Sequence, residues 1–234
     1  MSIPSELIKT NSKYQVKDDI FIFTQTEDLR KDNKKYSGFY NVIANLYDIG
    51  SKVFFWFHGG EIKARKEFLE ELKIVSGAKV LEVSIGTGTN ISMLPKDADY
   101  FGVDISYGML KKCQQNLNKM GRQSLLFQAE AEHLPFNDNT FDSVFHVGGV
   151  NYFNEKGKAL AEMVRVSKSG THLTIVDETD KFFETLSWIP FLKNAFPTGK
   201  ATKPPTELLP SGMKNIQVSE IVNGNYWRLT FQKP

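Results

Sequence analysis

The chain has 234 residues and a formal net charge of +2, with 41% hydrophobic and 24% charged residues. This is an ordinary globular composition, and scattered lysines with so small a net charge argue against a nucleic-acid partner. The single cysteine, Cys113, excludes an internal disulfide and a metal site with several cysteine ligands, so no metal is predicted. The sequence has neither a secretory signal nor an apolar run of roughly 18 residues, so we expect a cytoplasmic protein.

The N-terminal third divides into a polar stretch and an aromatic stretch. Residues 1–35 are rich in lysine around one alternating apolar island, DIFIFTQ, and are predicted to form a short appendage to a main domain at 36–234. Residues 36–58 are dense in aromatic side chains. Residues 61–74 have the apolar spacing of a helix that ends before Gly77.

From residue 79 onward, predicted strands alternate with predicted helices. The strands are expected at 79–85, 100–105, 124–130, 141–148 and 171–179. The helices are expected at 106–121, with Ser106 as its N-cap, and at 155–170. This alternation predicts a parallel sheet with helices on both faces. Asn-Gly at 223–224 separates two further β-like runs and predicts a hairpin. The fold class is therefore α/β, with a Rossmann-like, seven-stranded, mostly parallel sheet that finishes in an antiparallel C-terminal hairpin.

The connection at residues 180–212 is too long for a plain crossover between strands. Its first half is aromatic, and its second half is rich in Pro, Lys and Thr. Long connections on α/β sheets often carry function, so segments 36–58 and 180–212 are predicted to form a cap over a binding site. For the aromatic stretches at 53–57 and 182–196 within these segments, helix faces packed on the domain are the favoured interpretation, and an apolar cap that selects the acceptor or contacts a membrane surface is the alternative.

The stretch KVLEVSIGTGTN, residues 79–90, places a glycine turn directly after a strand. Ligands of parallel α/β sheets bind at the carboxyl ends of strands, and glycines let the backbone turn sharply there. A dinucleotide would favour a third glycine, but that position holds Ile91. The carboxylate of Glu82, just before Gly86 and Gly88, suits the amino-acid end and the sulfonium of S-adenosylmethionine instead.

Two further positions fit a bound nucleoside. Asp104 closes the second strand of the series, where a carboxylate can accept hydrogen bonds from both hydroxyls of a ribose. Glu130, after the third strand, can accept a hydrogen bond from an adenine amine, and Ala131 offers a backbone N–H to a ring nitrogen. Asp104 suits dinucleotides as well, so it indicates a nucleoside without choosing between the two ligand classes.

Four ordered motifs resemble those of class I S-adenosylmethionine-dependent methyltransferases. They are VLEVSIGTGTN, GVDIS followed by ML, AEAEHLPFNDNTFDSV and EMVRVSKSGTHLTIVDE, within about residues 40 to 180. The sequence is similar to the methyltransferase type 11 branch, which contains quinone-biosynthesis C-methyltransferases and bacterial phospholipid N-methyltransferases. The resemblance implies S-adenosylmethionine as cofactor and methyl transfer to a small, apolar or lipid-like acceptor.

The resemblance also implies roles for individual residues. The turn against the methionine end of the cofactor comprises Glu82, Ser84, Gly86 and Gly88. Asp104 holds the ribose, Ile105 and Met109 pack on the adenine, Glu130 and Ala131 meet the adenine edge, and His146 and Val147 lie under the cofactor. Ser84 departs from the family pattern, which usually has a glycine there, and Glu130 stands where Asp is commoner.

The acceptor and the acid–base chemistry stay open at this point. His146, Tyr152 and His58 are candidates for a general base, although a wall residue is the favoured interpretation of His146. Tyr40, Tyr47 and Tyr152 are candidates for the acceptor pocket. An RNA or protein methyltransferase and a nicotinamide-dependent oxidoreductase are the alternative functions. HVGGVNYF stands where an NPPY-like stretch would mark an amino group of a base as the target.

Overall fold

The structure of the protein is a computed structural model that describes residues 3–10, 12–24, 38, 55–56, 60–187 and 203–234. Most of the predicted cap, with Tyr40, Tyr47 and His58, lies outside the described residues, as does the predicted domain boundary at residue 35. No helix in the described ranges combines the length and the apolar character needed to cross a membrane.

One sheet of nine strands forms the centre of the described structure. The strands are β1 Gln15–Lys17, β2 Ile20–Ile22, β3 Lys79–Val83, β4 Asp99–Asp104, β5 Leu125–Gln128, β6 Ser143–Val147, β7 His172–Glu178, β8 Lys214–Ile221 and β9 Tyr226–Gln232. Their order is β1-β2-β5-β4-β3-β6-β7-β9-β8. Strands β3 to β7 are parallel, whereas β9 is antiparallel to both β7 and β8. The predicted mostly parallel sheet with an antiparallel C-terminal hairpin is confirmed.

The sheet has more strands than the seven predicted because the N-terminal stretch joins its edge. Positive φ angles of 53° and 57° at Asp18 and Asp19 make the two-residue turn of a β1–β2 hairpin. Strand β2 runs parallel to β5, its three side chains are buried, and Phe21 stacks on Phe127 with ring centroids 5.4 Å apart. The described part of the predicted appendage therefore lies within the main sheet.

Helices cover both faces of the sheet. They are α1 Glu61–Leu69, α2 Tyr107–Lys119, α3 Lys156–Val166 and α4 Asp180–Ser187. Successive strand residues point to opposite faces, so Val80 packs in the core under α1 and α2, whereas Leu81 packs in the core under α3. Glu82 follows the same alternation and therefore lies on the face of the sheet that α1 covers, where it can interact with residues linked to α1.

The helix ends follow local chemistry. The hydroxyl of Ser106 accepts a hydrogen bond from the Met109 N–H at 3.1 Å, which confirms the predicted N-cap of α2. Gly121, just past α2, has a φ of +61°, as a C-terminal glycine should. Helix α1 is shorter than the predicted 61–74, because the Leu72 N–H bonds the Leu69 carbonyl in a tighter turn.

Candidate functional site

A cavity lies at the carboxyl ends of β3, β4, β6 and β7, where the strand order reverses around β3. This is where open α/β sheets bind their ligands. Of the cofactor-site residues predicted from the sequence, those that line the cavity are Glu82, Ser84, Gly86, Asp104, Ile105, Met109, Ala131 and Val147. Gly88, Glu130 and His146 lie outside the lining.

The turn after β3 is made of left-handed backbone, with φ angles of +59° at Ser84, +54° at Gly86 and +75° at Gly88. A Cβ added to Gly86 would meet only the Ser84 carbonyl oxygen, at 4.0 Å, so this part of the turn is open to a ligand. Ser84 adopts a conformation that costs a residue with a side chain about 1 kcal/mol. That cost explains why a glycine would be the more usual residue at this position.

Gly88 allows close packing instead of ligand contact. A Cβ added there would lie 2.5 Å from the Cys113 Sγ in α2, so only a glycine lets the helix approach the turn this closely. The turn continues into a short 3-10 helix, Thr89–Met93, in which Ile91 is fully buried. The element that directly follows the glycines is therefore a single short 3-10 helix.

Asp104 ties the turn to the end of β4. Its Oδ2 accepts from the Gly86 N–H at 2.9 Å, and its Oδ1 accepts from the Ser106 N–H at 2.8 Å. Burial raises the pKa of the Asp104 carboxyl to about 6, against the opposing effect of these backbone donors. The Ile105 N–H also donates to this carboxyl, so only part of the lone-pair capacity of its two oxygens remains for hydrogen bonds from a ligand.

Glu82 is a buried carboxyl group beside the same turn. Its Oε1 accepts from the Asn90 side-chain amide at 2.6 Å. Its Oε2 is buried without a hydrogen-bond partner among the described residues. Burial raises the pKa of Glu82 to about 8. A buried carboxyl oxygen without a donor is costly, and such a group marks a place where a ligand can supply one.

The position of Glu82 is fixed from α1 through a chain of hydrogen bonds. The Arg65 Nη1 donates to the Asn90 Oδ1 at 2.6 Å, and the same guanidinium donates to the Glu61 Oε1 at 2.7 and 2.9 Å. Arg65 and Asn90 both line the cavity. Sequence reasoning missed both residues. The only available signals were an amide directly after the glycine turn and a Glu–Arg pair four residues apart on a predicted helix.

The predicted adenine side of the cavity is lined by Ile105, Met109 and Ala131, but not by Glu130. The Glu130 carboxyl lies 3.2 Å from the Nδ1 of His133. Glu132, two residues later, lines the cavity, and its Oε1 accepts from the N–H groups of Asn154 and Glu155 at 2.9 and 3.3 Å. The motif offers two acids, and the sequence alone did not indicate which of them faces the cavity.

His146 is fully buried beneath the end of β6. Its Nδ1 donates to the Val83 carbonyl oxygen at 2.9 Å, and its ring packs on Phe153 with centroids 5.0 Å apart. Burial lowers the pKa of the imidazole, so the ring is neutral near neutral pH. His146 therefore lies behind the cavity lining, and its role as a wall residue stays a prediction. Tyr152, the other described candidate for a base, lines the cavity.

Comparison with known proteins decides the family. Residues 81–175 match the family model described as a methyltransferase domain. The chain is 32% identical over 152 residues to a demethylmenaquinone methyltransferase of Thermobifida fusca (strain YX), covering 64% of both chains. It is 31% identical over 167 residues to the ubiquinone/menaquinone biosynthesis C-methyltransferase UbiE of Burkholderia mallei (strain SAVP1), covering 69% of this chain and 67% of that relative. The chain belongs to the class I S-adenosylmethionine-dependent methyltransferases.

The methyltransferase fold is also found in solved structures. A SAM-dependent methyltransferase from Aquifex aeolicus shares the fold with a TM-score of 0.55 at 21% identity, covering 74% of this chain and 92% of that one. The chain spans less than two thirds, 64%, of the length of the Thermobifida relative. Membership of this methyltransferase family counts against the nicotinamide-dependent alternative.

The cofactor of the family is S-adenosylmethionine, and the residues present fit it. The turn at Gly86 is open, Asp104 keeps free lone pairs, and the buried Glu82 lacks one donor among the described residues. A nucleoside with a positively charged amino-acid end matches this set of acceptors.

Proposed function

We propose that the chain transfers the methyl group of S-adenosylmethionine to a small, apolar or lipid-like acceptor. The observation that carries the proposal is the buried Glu82 carboxyl, whose Oε2 has no donor among the described residues. An ammonium group at the amino-acid end of the cofactor would offset the cost of burying this group. When bound, the cofactor supplies a methyl group that its positive sulfur has already activated.

The other predicted contacts follow the lining of the cavity. Asp104 would hold the ribose hydroxyls with its remaining lone pairs, and Ile105 and Met109 would pack on the adenine. Ala131 would meet the adenine edge, with Val147 under the cofactor. Gly88 and His146 would support the site from behind. A direct contact between Glu130 and adenine stays a prediction.

In this proposal the chain's main task is to align the acceptor and exclude water. The part of the cavity over β6 and β7 has aromatic walls from Phe153, Phe182, Phe183 and Tyr226. Such walls favour an apolar acceptor. The names of the relatives suggest a quinone-type ring as the first acceptor to test. We place the protein in the cytoplasm, with peripheral membrane contact as the route to a lipid-like acceptor.

Titration calorimetry with S-adenosylhomocysteine, and separately with NADH, tests the proposal. We expect S-adenosylhomocysteine to bind with a dissociation constant of tens of micromolar or lower, which is a binding free energy of about −6 kcal/mol or better. We expect NADH not to bind. A folded sample that binds NADH, or that binds neither compound, would contradict the proposed function.

A further inference from the structure

The cavity has a second polar feature, away from the predicted cofactor contacts. Glu178 ends β7 and lines the cavity, as do the aromatic residues Phe182 and Tyr226 and the turn residues Gly148 and Gly149. Tyr226 is also its register partner on β9. If the cofactor lies over β3 and β4, this carboxyl group belongs to the part of the cavity that remains for the acceptor.

The turn after β6 leaves this carboxyl group open. Gly148 and Gly149 have φ angles of +77° and +108°, which residues with side chains rarely adopt. A Cβ added to Gly148 would sit 3.6 Å from the Glu178 Oε1, so a larger side chain there would cover that oxygen. Gly148 thus keeps the Glu178 oxygen accessible from the cavity.

Asp177 supports Glu178 from behind. Its Oδ1 accepts from the Gly149 N–H at 3.0 Å. The Glu178 carboxyl hydrogen-bonds the Asp177 side chain, and burial together with Asp177 raises the pKa of Glu178 well above its usual range. Burial and Asp177 thus both favour the protonated form of Glu178, and the remaining lone pairs of this carboxyl group can accept hydrogen bonds.

We propose that Glu178, held by Asp177, accepts a hydrogen bond from a neutral O–H or N–H group of the methyl acceptor. This inference rests on the proposed function, because it assumes that the cofactor occupies the other half of the cavity. A carbonyl-type oxygen that faces apolar walls gains most from a ligand that brings a donor. An acceptor that is apolar throughout would desolvate this oxygen without replacing its hydrogen bond.

Other polar groups at this end of the cavity have to be separated from Glu178. His146 is buried behind the cavity lining and interacts electrostatically with Asp177. Tyr152 and Tyr226 line the cavity and carry hydroxyl groups of their own. A test must therefore compare Glu178 variants with a variant that removes a nearby hydroxyl alone.

Three probes of one shape test the inference: 1-naphthol, 1-naphthylamine and 1-methoxynaphthalene. Their affinities are measured by fluorescence titration, with saturating S-adenosylhomocysteine and also without it. We expect the wild-type protein to bind 1-naphthol or 1-naphthylamine about tenfold more tightly than 1-methoxynaphthalene, because only the first two bring a donor. The two donor probes show whether an O–H or an N–H fits better.

In Glu178→Leu the preference for the donor probes should fall to within about twofold, while S-adenosylhomocysteine affinity stays unchanged. Tyr152→Phe removes the competing hydroxyl in the same cavity and tests that rival, and we expect it to keep the preference. Equal binding of all three probes by the wild type, or a preference that survives Glu178→Leu and is lost in Tyr152→Phe, would overturn the inference. A wild-type protein that does not bind S-adenosylhomocysteine would contradict the proposed function instead. The titration of the three probes without S-adenosylhomocysteine would then still test the role of Glu178.

Infrared difference spectra keep the test decisive if Glu178→Leu does not fold. The carbonyl band of the protonated Glu178 carboxyl is assigned by its loss in Glu178→Gln. In the wild-type protein we expect 1-naphthol to shift this band and 1-methoxynaphthalene to leave it in place. A band that neither probe shifts would overturn the inference.

Discussion

The two halves of the cavity are built in different ways. Over β3 and β4 the walls are short polar contacts, in which Asp104 binds two backbone N–H groups and Glu82 binds Asn90. Over β6 and β7 the walls are mostly aromatic rings, which come from positions as distant as 153 and 226. The half expected to meet the nucleoside depends on local motifs, whereas the half expected to meet the acceptor is assembled from distant parts of the chain.

This contrast predicts that the affinity for the cofactor product and the affinity for acceptor-like probes depend on different residues. Substitutions over β3 and β4 should change the affinity for S-adenosylhomocysteine and spare the naphthalene probes, and substitutions over β6 and β7 should do the reverse. It also separates two energetic roles, because buried carboxyls cost stability while buried rings contribute it.

The largest expected effect concerns the stability cost of Glu82. Its pKa is about 8 in the folded chain against 4.5 for an ordinary glutamate. Below pH 4.5 the Glu82 carboxyl is protonated in both the folded and the unfolded chain, so its ionisation costs no stability. Between pH 4.5 and about 8 the carboxyl ionises in the unfolded chain but stays protonated in the folded chain, so the free energy of unfolding falls as pH rises.

Glu82→Gln removes this loss, because an amide does not ionise. From pH 5 to pH 8 we expect the ligand-free wild type to lose on the order of 3 kcal/mol of unfolding free energy relative to the variant. Urea unfolding at several pH values measures this difference. Glu207→Gln, an exposed control, should follow the wild type. If the free energies of unfolding of the wild type and of Glu82→Gln changed with pH in the same way, burial of the Glu82 carboxylate would not carry the stability cost assigned to it.

Asp104→Ala should have the next largest effect. It removes the acceptor of two backbone N–H groups and the proposed partner of the ribose. We expect S-adenosylhomocysteine affinity to fall about 30-fold, or about 2 kcal/mol, with the naphthalene affinities unchanged. Calorimetry measures the first and fluorescence the second. Asp99→Asn, at the exposed start of the same strand, is the control and should bind like the wild type. An equal loss of affinity for S-adenosylhomocysteine and for the naphthalene probes would contradict the proposed division of the cavity into two halves.

Arg65→Met should have a smaller effect, because Arg65 acts through Asn90 on Glu82. We expect about a tenfold loss of S-adenosylhomocysteine affinity, and a partial recovery in Arg65→Lys, which restores one donor. Lys66→Met, the exposed neighbour on the same helix, should leave binding unchanged. Arg65→Met binding as tightly as Lys66→Met would show that the hydrogen-bond chain does not position Glu82.

Ser84→Gly should have the smallest effect. A glycine relieves the cost of the +59° φ angle but adds flexibility to the unfolded chain, so we expect a net gain of about 0.5 kcal/mol. Ser84→Ala keeps the Cβ and should gain nothing, which separates backbone strain from loss of the hydroxyl. Urea unfolding of both variants measures the difference. A Ser84→Gly protein less stable than Ser84→Ala would mean that this turn is not strained.

Sequence reasoning predicted the parts of the fold that depend on local chemistry. The alternation of strands and helices, the Ser106 cap and the C-terminal hairpin all follow from short patterns. The meeting of Glu82 and Asp104 at one edge was also predictable, because parallel strands bring their carboxyl ends together.

The remainder depends on contacts between distant residues. No local pattern indicates that β2 pairs with β5, or that Arg65 reaches Asn90 from another helix. The direction of a side chain in an irregular turn cannot be predicted from the sequence either, so the motif does not distinguish Glu130 from Glu132, of which Glu132 lines the cavity. Glu178 was overlooked because its surroundings come from Gly148 and from β9.

The N-terminal hairpin has a bearing on how this protein can be shortened. A fragment cut to residues 81–175 would lack β2 beside β5 and β9 beside β7, so both flanks of the parallel array would present unpaired amide and carbonyl groups. Open flanks of this kind invite pairing between copies. Among the described residues the outermost strand on the N-terminal side is β1, whose three exposed residues include Lys17, and so short and charged an edge discourages such pairing. Deletion of residues 1–24 should therefore expose an edge that is prone to aggregation, although it removes no residue of the cavity.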